Sequence, residues 1–169
     1  MSVASASVHK AVNTVWDAST LNASFLALRD ASVVDADFPV LNDQEATPAQ
    51  PFPYCVYEQS SSSTTDRMSG AGSTIREIRD VSWNFHIHAR EVDGDARTAK
   101  EIAADLAEEV MKVFGGHPTV AATDLSPSLD NSGFLISEYQ TDFGVRSGED
   151  DEYRWDVQYI LKVDVPLAV

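Results

Sequence analysis

Residues 81–114 constrain the fold most, because the spacing of apolar residues changes there from one period to another. Apolar and polar residues first alternate, a period of two that predicts a half-buried β-strand. The apolar members of this strand are Val81, Trp83, Phe85, Ile87 and Ala89. From Ala99 to Val113 the apolar residues recur at helical spacing, and Gly115 and Gly116 end the pattern. The sequence therefore predicts a strand that leads into a long amphipathic helix.

Length and charge limit the class of protein. The chain has 169 residues, 43% of them hydrophobic, which is enough for one sizeable core. We predict a single domain over residues 1–169. The formal net charge of −15 argues against a groove that grips nucleic-acid phosphates, because such grooves need clustered lysine and arginine. It is compatible with DNA that passes without being bound, since like charges repel over roughly 8 Å.

Two segments near the N-terminus have apolar residues at helical spacing. Apolar residues at helical spacing from Val8 to Trp16 predict a first helix. Leu21, Phe25 and Leu28 predict a second, shorter helix. Residues 29–53 have no periodicity and contain prolines that lack a backbone donor, so we predict an irregular connection there.

A serine-rich segment separates two predicted strands. Residues 54–58 have the aromatic and β-branched content of a strand, and a second strand resumes near Thr74. Residues 59–74 bury too little apolar surface to offset their ordering entropy, which predicts a mobile loop. The alternative is an arm that becomes ordered against a partner, with Arg67 and Met68 as its large contact residues.

Two further strands end the sequence. Residues 134–145 and 153–165 both alternate in polarity, and the charged residues between them predict a hairpin loop. Phe134, Ile136 and Ile160 fall on the otherwise polar side of these strands. They are either ordinary exposed residues or part of an interface patch.

The order of elements is helix, helix, strand, strand, helix, strand, strand. Two hairpins joined by one crossover helix predict an α+β fold of two layers. We expect a largely antiparallel four-stranded sheet, covered on one face by the N-terminal helix and the long crossover helix.

His86 and His88 are the strongest candidates for chemistry. An H-x-H pair in a strand places both imidazoles on one face, where they can supply two metal ligands. His9 and His117 are the only other histidines, and neither is an obvious third ligand. The competing interpretation is a pair of solvated or interfacial histidines.

No motif of a common enzyme class occurs in the chain. It lacks a G-x-S-x-G sequence, a phosphate-binding glycine loop, a dinucleotide fingerprint and an H-E-x-x-H sequence. Cys55 is the sole cysteine, which excludes an intrachain disulfide. No stretch reaches the roughly 18 apolar residues needed to cross a bilayer. We therefore predict no enzymatic activity, no cofactor and no membrane partner.

The order of elements resembles that of the small tail terminator and tail-completion proteins of long-tailed bacteriophages. The resembling features are the helix Val8–Trp16, the proline-rich lead into Pro53–Tyr57, the strand Val81–Ala89, the alanine-rich helix Ala96–Phe114 and the final strand Arg154–Val165. The resemblance covers most of the chain and depends on element order, with no single diagnostic motif. The connection at residues 29–53 and the serine-rich segment are longer than this family leads us to expect.

The resemblance implies a structural virion protein of the tail or neck that assembles in the host cytoplasm. Such a protein forms a ring with copies of itself, typically a hexamer, that caps the tail tube protein and meets the head–tail connector or stopper protein. DNA passes through without specific binding. The residues expected to contact partners are Arg67, Met68, Phe134, Ile136, Arg146, Glu149, Asp150, Asp151 and Ile160. The alternatives are a neck stopper or other head–tail joining protein of similar fold, and a small metal-dependent enzyme that uses His86 and His88.

Overall fold

The computed structural model describes residues 3–29, 38–43, 46, 49–69, 75–120, 133–146 and 151–167. These residues form three helices and five strands. In chain order the elements are α1 (Val3–Ala18), α2 (Leu21–Leu26), β1 (Leu41–Asp43), β2 (Tyr54–Ser69), β3 (Ile75–Arg90), α3 (Ala99–Phe114), β4 (Gly133–Arg146) and β5 (Glu152–Leu167). The predicted α+β class is confirmed. None of the described helices is long and apolar enough to cross a membrane.

The strands form one sheet in the order β1-β2-β3-β5-β4. The pairs β2–β3, β3–β5 and β4–β5 are antiparallel, and β1 pairs with β2 in parallel. The prediction of four strands is therefore wrong by one. β1 has three residues and lies within the connection predicted to be irregular, so it is too short to display a period of two.

The hydrophobic core lies between the helices and one face of the sheet. Trp16 of α1 stacks on Phe85 of β3, with ring centroids 6.0 Å apart, and Phe114 of α3 packs against the same phenylalanine at 4.8 Å. On the sheet side, the core includes Cys55 and Tyr57 of β2 and, for the larger part, alternate residues of β3 and β5, as the sequence pattern predicts. The residues of β3 and β5 are Val81, Trp83, Phe85, Ile87, Ala89, Val157, Tyr159, Leu161 and Val163. The other face of the sheet, here called the helix-free face, presents the intervening residues.

The crossover helix begins at Ala99, where the helical spacing of apolar residues also begins. It is capped by Thr98, whose hydroxyl accepts a hydrogen bond from the Glu101 backbone. The Glu101 carboxylate accepts in return from the Thr98 backbone at 2.8 Å. This reciprocal capping box satisfies two amides that the helix cannot pair internally, which fixes the start of α3.

The serine-rich segment is largely extended. Residues 59–69 belong to β2 and pair with β3, so the prediction of a loop is wrong for them, and residues 70–74 lie outside the described residues. Serine has little intrinsic preference for β-strands, but β3 supplies backbone donors and acceptors beside this run, and its two threonines are β-branched residues that favour strands. The mobility of this segment stays a prediction.

The sheet is long relative to its helices. β2, β3 and β5 each have 16 residues, roughly 50 Å at about 3.3 Å per residue. α1 and α3 also have 16 residues but span only roughly 24 Å. Among the described residues of β3, the hydrophobic core extends from Val81 to Ala89, whereas Glu77, Arg79 and Asp80 are polar. The outer end of the sheet therefore extends beyond the hydrophobic core.

Gly116, just after α3, allows β4 to pack closely against the end of this helix. Its φ is +102°, and a Cβ atom there would collide with the ring of Tyr139. We expect Gly116→Ala to lower the free energy of unfolding by about 3 kcal/mol, because backbone strain and overpacking add. Urea unfolding followed by circular dichroism measures this loss.

Gly94→Ala is the matched control for Gly116→Ala. Gly94 has a similar φ of +85°, but nothing lies within 4 Å of the position that a Cβ would occupy. We expect it to cost only about 1 kcal/mol from backbone strain. Equal losses for the two alanine variants would show that the contact with Tyr139 is unimportant.

Candidate functional site

A cluster of charged and imidazole side chains lies on the helix-free face. It consists of Glu58, His86, His88, Arg154 and Asp156, and we call it the histidine patch. Strand register brings these residues together, because His86 pairs with Asp156 and His88 pairs with Arg154. The prediction that both histidines share one face is confirmed.

His86 bridges two carboxylates from neighbouring strands. Its Nδ1 lies 2.8 Å from Oδ1 of Asp156 on β5, and its Nε2 lies 3.2 Å from Oε1 of Glu58 on β2. The hydrogen bond with Asp156 raises the pKa of His86 above its usual 6.5, and burial opposes this effect. When protonated, the imidazolium donates to both carboxylates and links three strands.

Asp156 is the buried centre of the patch. It is only 2% exposed, and it accepts one hydrogen bond from Arg154 and lies within ion-pair distance of a second nitrogen of that guanidinium. Arg154 Nη2 donates to Oδ2 at 2.9 Å, and Arg154 Nε lies 2.9 Å from Oδ1. A buried carboxylate is stable only when its charge is compensated, and Arg154 and His86 provide this compensation.

His88 is held in the neutral form. Its ring stacks on Tyr54 with centroids 4.7 Å apart and planes 9° from parallel. Burial, assisted by the positive charge of Arg154, lowers the pKa of His88 to about 4. The two histidines therefore have opposite protonation tendencies although they are two residues apart.

The described residues do not form a metal centre around this pair. No group of three or more histidine, cysteine, aspartate or glutamate side chains within them has a geometry that could hold a metal ion. Both ring nitrogens of His86 already meet carboxylates. His9 lies on α1, where Nδ1 is 2.8 Å from the Tyr57 hydroxyl, and His117 contacts Glu108 at 2.9 Å. The structure thus places the other two histidines away from the patch.

The pKa shifts of the two histidines predict a maximum of stability near pH 6.5. Because the folded-state pKa of His88 is lowered, protonation favours the unfolded chain, and stability falls as the pH decreases from 6.5 toward about 4. Because the folded-state pKa of His86 is raised, its contribution is complete below 6.5 and is lost as the pH rises through that raised pKa. Urea unfolding at a series of pH values measures both slopes.

Single substitutions separate the two slopes. We expect His88→Gln to reduce the loss of stability below pH 6.5 and His86→Gln to reduce the loss above it. Carboxylates elsewhere contribute equally to both variants and to the wild type, so the differences isolate each histidine. A wild-type profile whose slopes are unchanged by either substitution would contradict the assignment.

The edges of the sheet form a second candidate site. β4 is one edge strand, and β1 is the other. β1 pairs only with Cys55–Tyr57, so in the described part of the chain no strand lies beside Ser60–Ser69 on the outer side of β2. Exposed strand edges present unpaired backbone donors and acceptors, which makes them sites for pairing with another chain.

The predicted contact residues are distributed along these edges and ends. Arg67 and Met68 lie in β2 opposite Glu77 and Arg76. Arg146 is the exposed last residue of β4, so it ends a strand instead of beginning a loop. Asp151 is exposed and lies 3.4 Å from Arg90. Glu149 and Asp150 lie outside the described residues.

The three apolar residues predicted to form a patch are divided by a register shift. Ile136 pairs with Lys162, on the face to which Ile160 also belongs. Phe134 pairs with Val163, a core residue on the helix-bearing face. The shift between Phe134 and Ile136 is a β-bulge, which the sequence pattern does not reveal.

Sequence reasoning missed most of the histidine patch. No sequence motif marks Glu58, Arg154 or Asp156 as part of a site, and the sequence pattern identifies Tyr54 only as a strand residue. The available signal was that Arg154 and Asp156 are two residues apart on the polar side of the last strand. The contact between Asp156 and His86 depends on the register between β3 and β5, which joins these residues across 70 positions of sequence.

No protein-family model matches the chain, and no curated protein matches it. Among solved structures, the chain is similar to one described as the virion of a native gene transfer agent particle. The two have 14% sequence identity and a TM-score of 0.41, and the match covers 86% of this chain and 92% of that chain. Neither a family nor a function follows from a likeness of this degree.

Proposed function

We propose that this chain is a structural virion protein, a tail terminator that forms a ring at the end of the tail tube. The ring, a hexamer in this proposal, joins the tube to the head–tail connector or stopper protein and leaves a passage for DNA. The protein assembles in the host cytoplasm and has a structural role instead of an enzymatic one. The resemblance in element order gives the class, and the shape of the sheet supports it.

The observation that carries the proposal is a long sheet with accessible edges. Strands of 16 residues extend past the hydrophobic core, and both sides of the sheet end in strands that lack a full partner among the described residues. Monomeric proteins protect such edges, whereas assembling proteins use them. A subunit with two different open edges can associate head to tail, and such association closes into a ring when the rotation per copy is suitable.

The charge of the chain agrees with a DNA passage. With a net charge of −15, the protein surface does not attract the phosphates of DNA, so DNA that passes through the ring is not bound by it. Exposed acidic residues on α3 include Glu101, Asp105 and Glu108. Lysine or arginine stripes that would bind phosphate are not present on the described helices.

Electron microscopy of the purified chain, alone and mixed with tubes of the tail tube protein encoded in the same genome, tests the proposal. We expect rings with six-fold symmetry that bind the ends of the tubes. A monomer that ignores the tubes would contradict the proposal. Binding to the connector but not to tubes would instead identify a neck stopper.

Elemental analysis tests the enzymatic alternative. A metal-dependent enzyme that uses His86 and His88 would contain stoichiometric zinc or iron, and His86→Ala with His88→Ala would remove it. The involvement of His86 with Asp156 and Glu58 leads us to expect no metal above background.

A further inference from the structure

We propose that β4 of one copy pairs in antiparallel orientation with Ser60–Ser69 of β2 in a second copy, and that repetition of this contact forms the ring. This inference rests on the proposed function and names the surface through which the subunits associate. The partner is a second copy of this chain because the two accessible edges belong to opposite sides of the same sheet.

The outer part of β2 contains a stretch, Ser61–Thr64, that has no charged residue, no proline and no register shift within it to protect an edge strand. Ser60–Thr65 is an unbroken run of uncharged serine and threonine, and Ser60–Ser69 contains neither lysine nor proline. Natural proteins use lysine, proline and inward-pointing charges to keep edges from pairing. β1 covers only the beginning of β2, so it leaves this stretch accessible within the described residues.

β4 has the complementary properties at the other edge. It has 14 residues, long enough to match the open stretch of β2, and it also contains neither lysine nor proline. Register shifts divide both strands, between Gln59 and Ser61 and between Thr64 and Asp66 in β2, and at two places in β4. Between the shifts, each strand has a regular segment, Ser61–Thr64 in β2 and Ile136–Tyr139 in β4. These two regular segments can form an uninterrupted ladder of hydrogen bonds with each other.

The direction of the new contact follows from the topology. β2, β3, β5 and β4 are antiparallel from each strand to the next, so β4 runs opposite to β2. When the sheet is repeated by rotation, β4 therefore meets β2 of the next copy in antiparallel orientation. Antiparallel pairs are slightly more stable per residue than parallel ones, and they continue the pattern of the sheet.

The register is limited by the two faces of the sheet. Ser63, Asp80, Lys162 and Ile136 lie in one row across β2, β3, β5 and β4, on the helix-free face. If neighbouring copies are not displaced along the strand direction, Ser63 of one copy comes next to Ile136 of the other. If they are displaced, the residue opposite Ser63 changes in steps of two, because a shift of one residue would exchange the two faces of the sheet.

Cysteine cross-linking tests this contact on the full chain. Two differently tagged proteins are mixed and oxidised, one with Ser63→Cys and the other with Ile136→Cys, Glu138→Cys or Thr141→Cys in turn. We expect a disulfide between the two tags for at least one of the three, because directly opposite strand residues lie about 5.5 Å apart. Ser137→Cys is the matched control on the other face, since Ser137 pairs with the core residue Leu161.

Each outcome of the cross-linking has a definite meaning. A mixed product with at least one of the three named positions, and its absence with Ser137→Cys, support the pairing. Products from one variant alone would show two-fold contacts of like edges, and no mixed product at all would show another surface, so either result overturns the inference. The wild type, whose Cys55 is fully buried, is the blank.

A charge on the edge provides a second test. Ser63→Lys places a protecting lysine on the exposed edge, and we expect at least about tenfold weaker self-association by sedimentation. Thr14→Lys adds the same charge to an exposed position of α1 and should leave association within about twofold of wild type. Equal weakening by both variants, or by neither, would overturn the inference.

The two proposals fail in different ways. Rings that bind tail tubes without the mixed cross-link would refute the edge pairing and keep the terminator function. Cross-linked assemblies that do not recognise tubes would refute the terminator function and keep the edge pairing.

Discussion

Phe85→Ala is expected to lower the free energy of unfolding by about 3–5 kcal/mol. Phe85 is 1% exposed and contacts Trp16 of α1, Phe114 of α3 and Tyr159 of β5. Its removal leaves a cavity where α1 and α3 both pack on the sheet. A domain of this size has only about 5–15 kcal/mol of stability, so the variant loses a large share of it. Urea denaturation with tryptophan fluorescence measures the loss.

Phe143→Ala is the control on the same sheet. Phe143 is 42% exposed on the helix-free face, so the same truncation removes far fewer contacts. We expect a loss below about 1 kcal/mol. A comparable loss for both phenylalanine variants would contradict the assignment of the core to the helix-bearing face.

Asp156→Ala is expected to destabilise the protein by about 3–5 kcal/mol, because it leaves Arg154 and His86 without a buried counter-charge. The variant also removes the main cause of the raised pKa of His86. NMR titration of the His86 ring should therefore show a lower pKa than in wild type, alongside the loss of stability in urea.

Asp105→Ala is the matched control for Asp156→Ala. Asp105 also forms an ion pair with an arginine, Arg97, at 2.8 Å, but its side chain is 55% exposed. Exposed ion pairs contribute about 0–1 kcal/mol, so we expect little change. If Asp156→Ala is as mild as Asp105→Ala, the histidine patch is not a cooperative buried network.

The sequence predicted the core more successfully than the surface chemistry. Alternation in residues 81–89 identified the buried face of β3 residue by residue, because burial on one side imposes a period of two. The end of α3 at Gly115 was also predicted, since a residue with φ of +112° favours glycine. These features depend on local spacing, which a single sequence displays.

The features that the sequence did not predict share a different cause. β1 and the strand at residues 59–69 exist because a neighbouring strand offers its backbone, and side-chain pattern does not encode this. Asp156 and Glu58 reach His86 only through cross-strand register. The bulge between Phe134 and Ile136 likewise assigns two apparently equivalent residues to different faces.

The sequence alone determined the class of fold, the apolar face of each long element and the excess of negative charge. These follow from composition and from periods of two and 3.6 residues, which every segment carries within itself. Tertiary structure decided that the described residues form a five-stranded sheet and that a carboxylate is buried between His86 and Arg154. It also decided that, within the described part of the chain, no further strand pairs with the outer side of β4 or of Ser60–Ser69. Such features depend on which distant segments of the chain become neighbours. The backbone hydrogen bonds that join strands can form between almost any residues, so the side-chain pattern of one segment does not show which segment will pair with it.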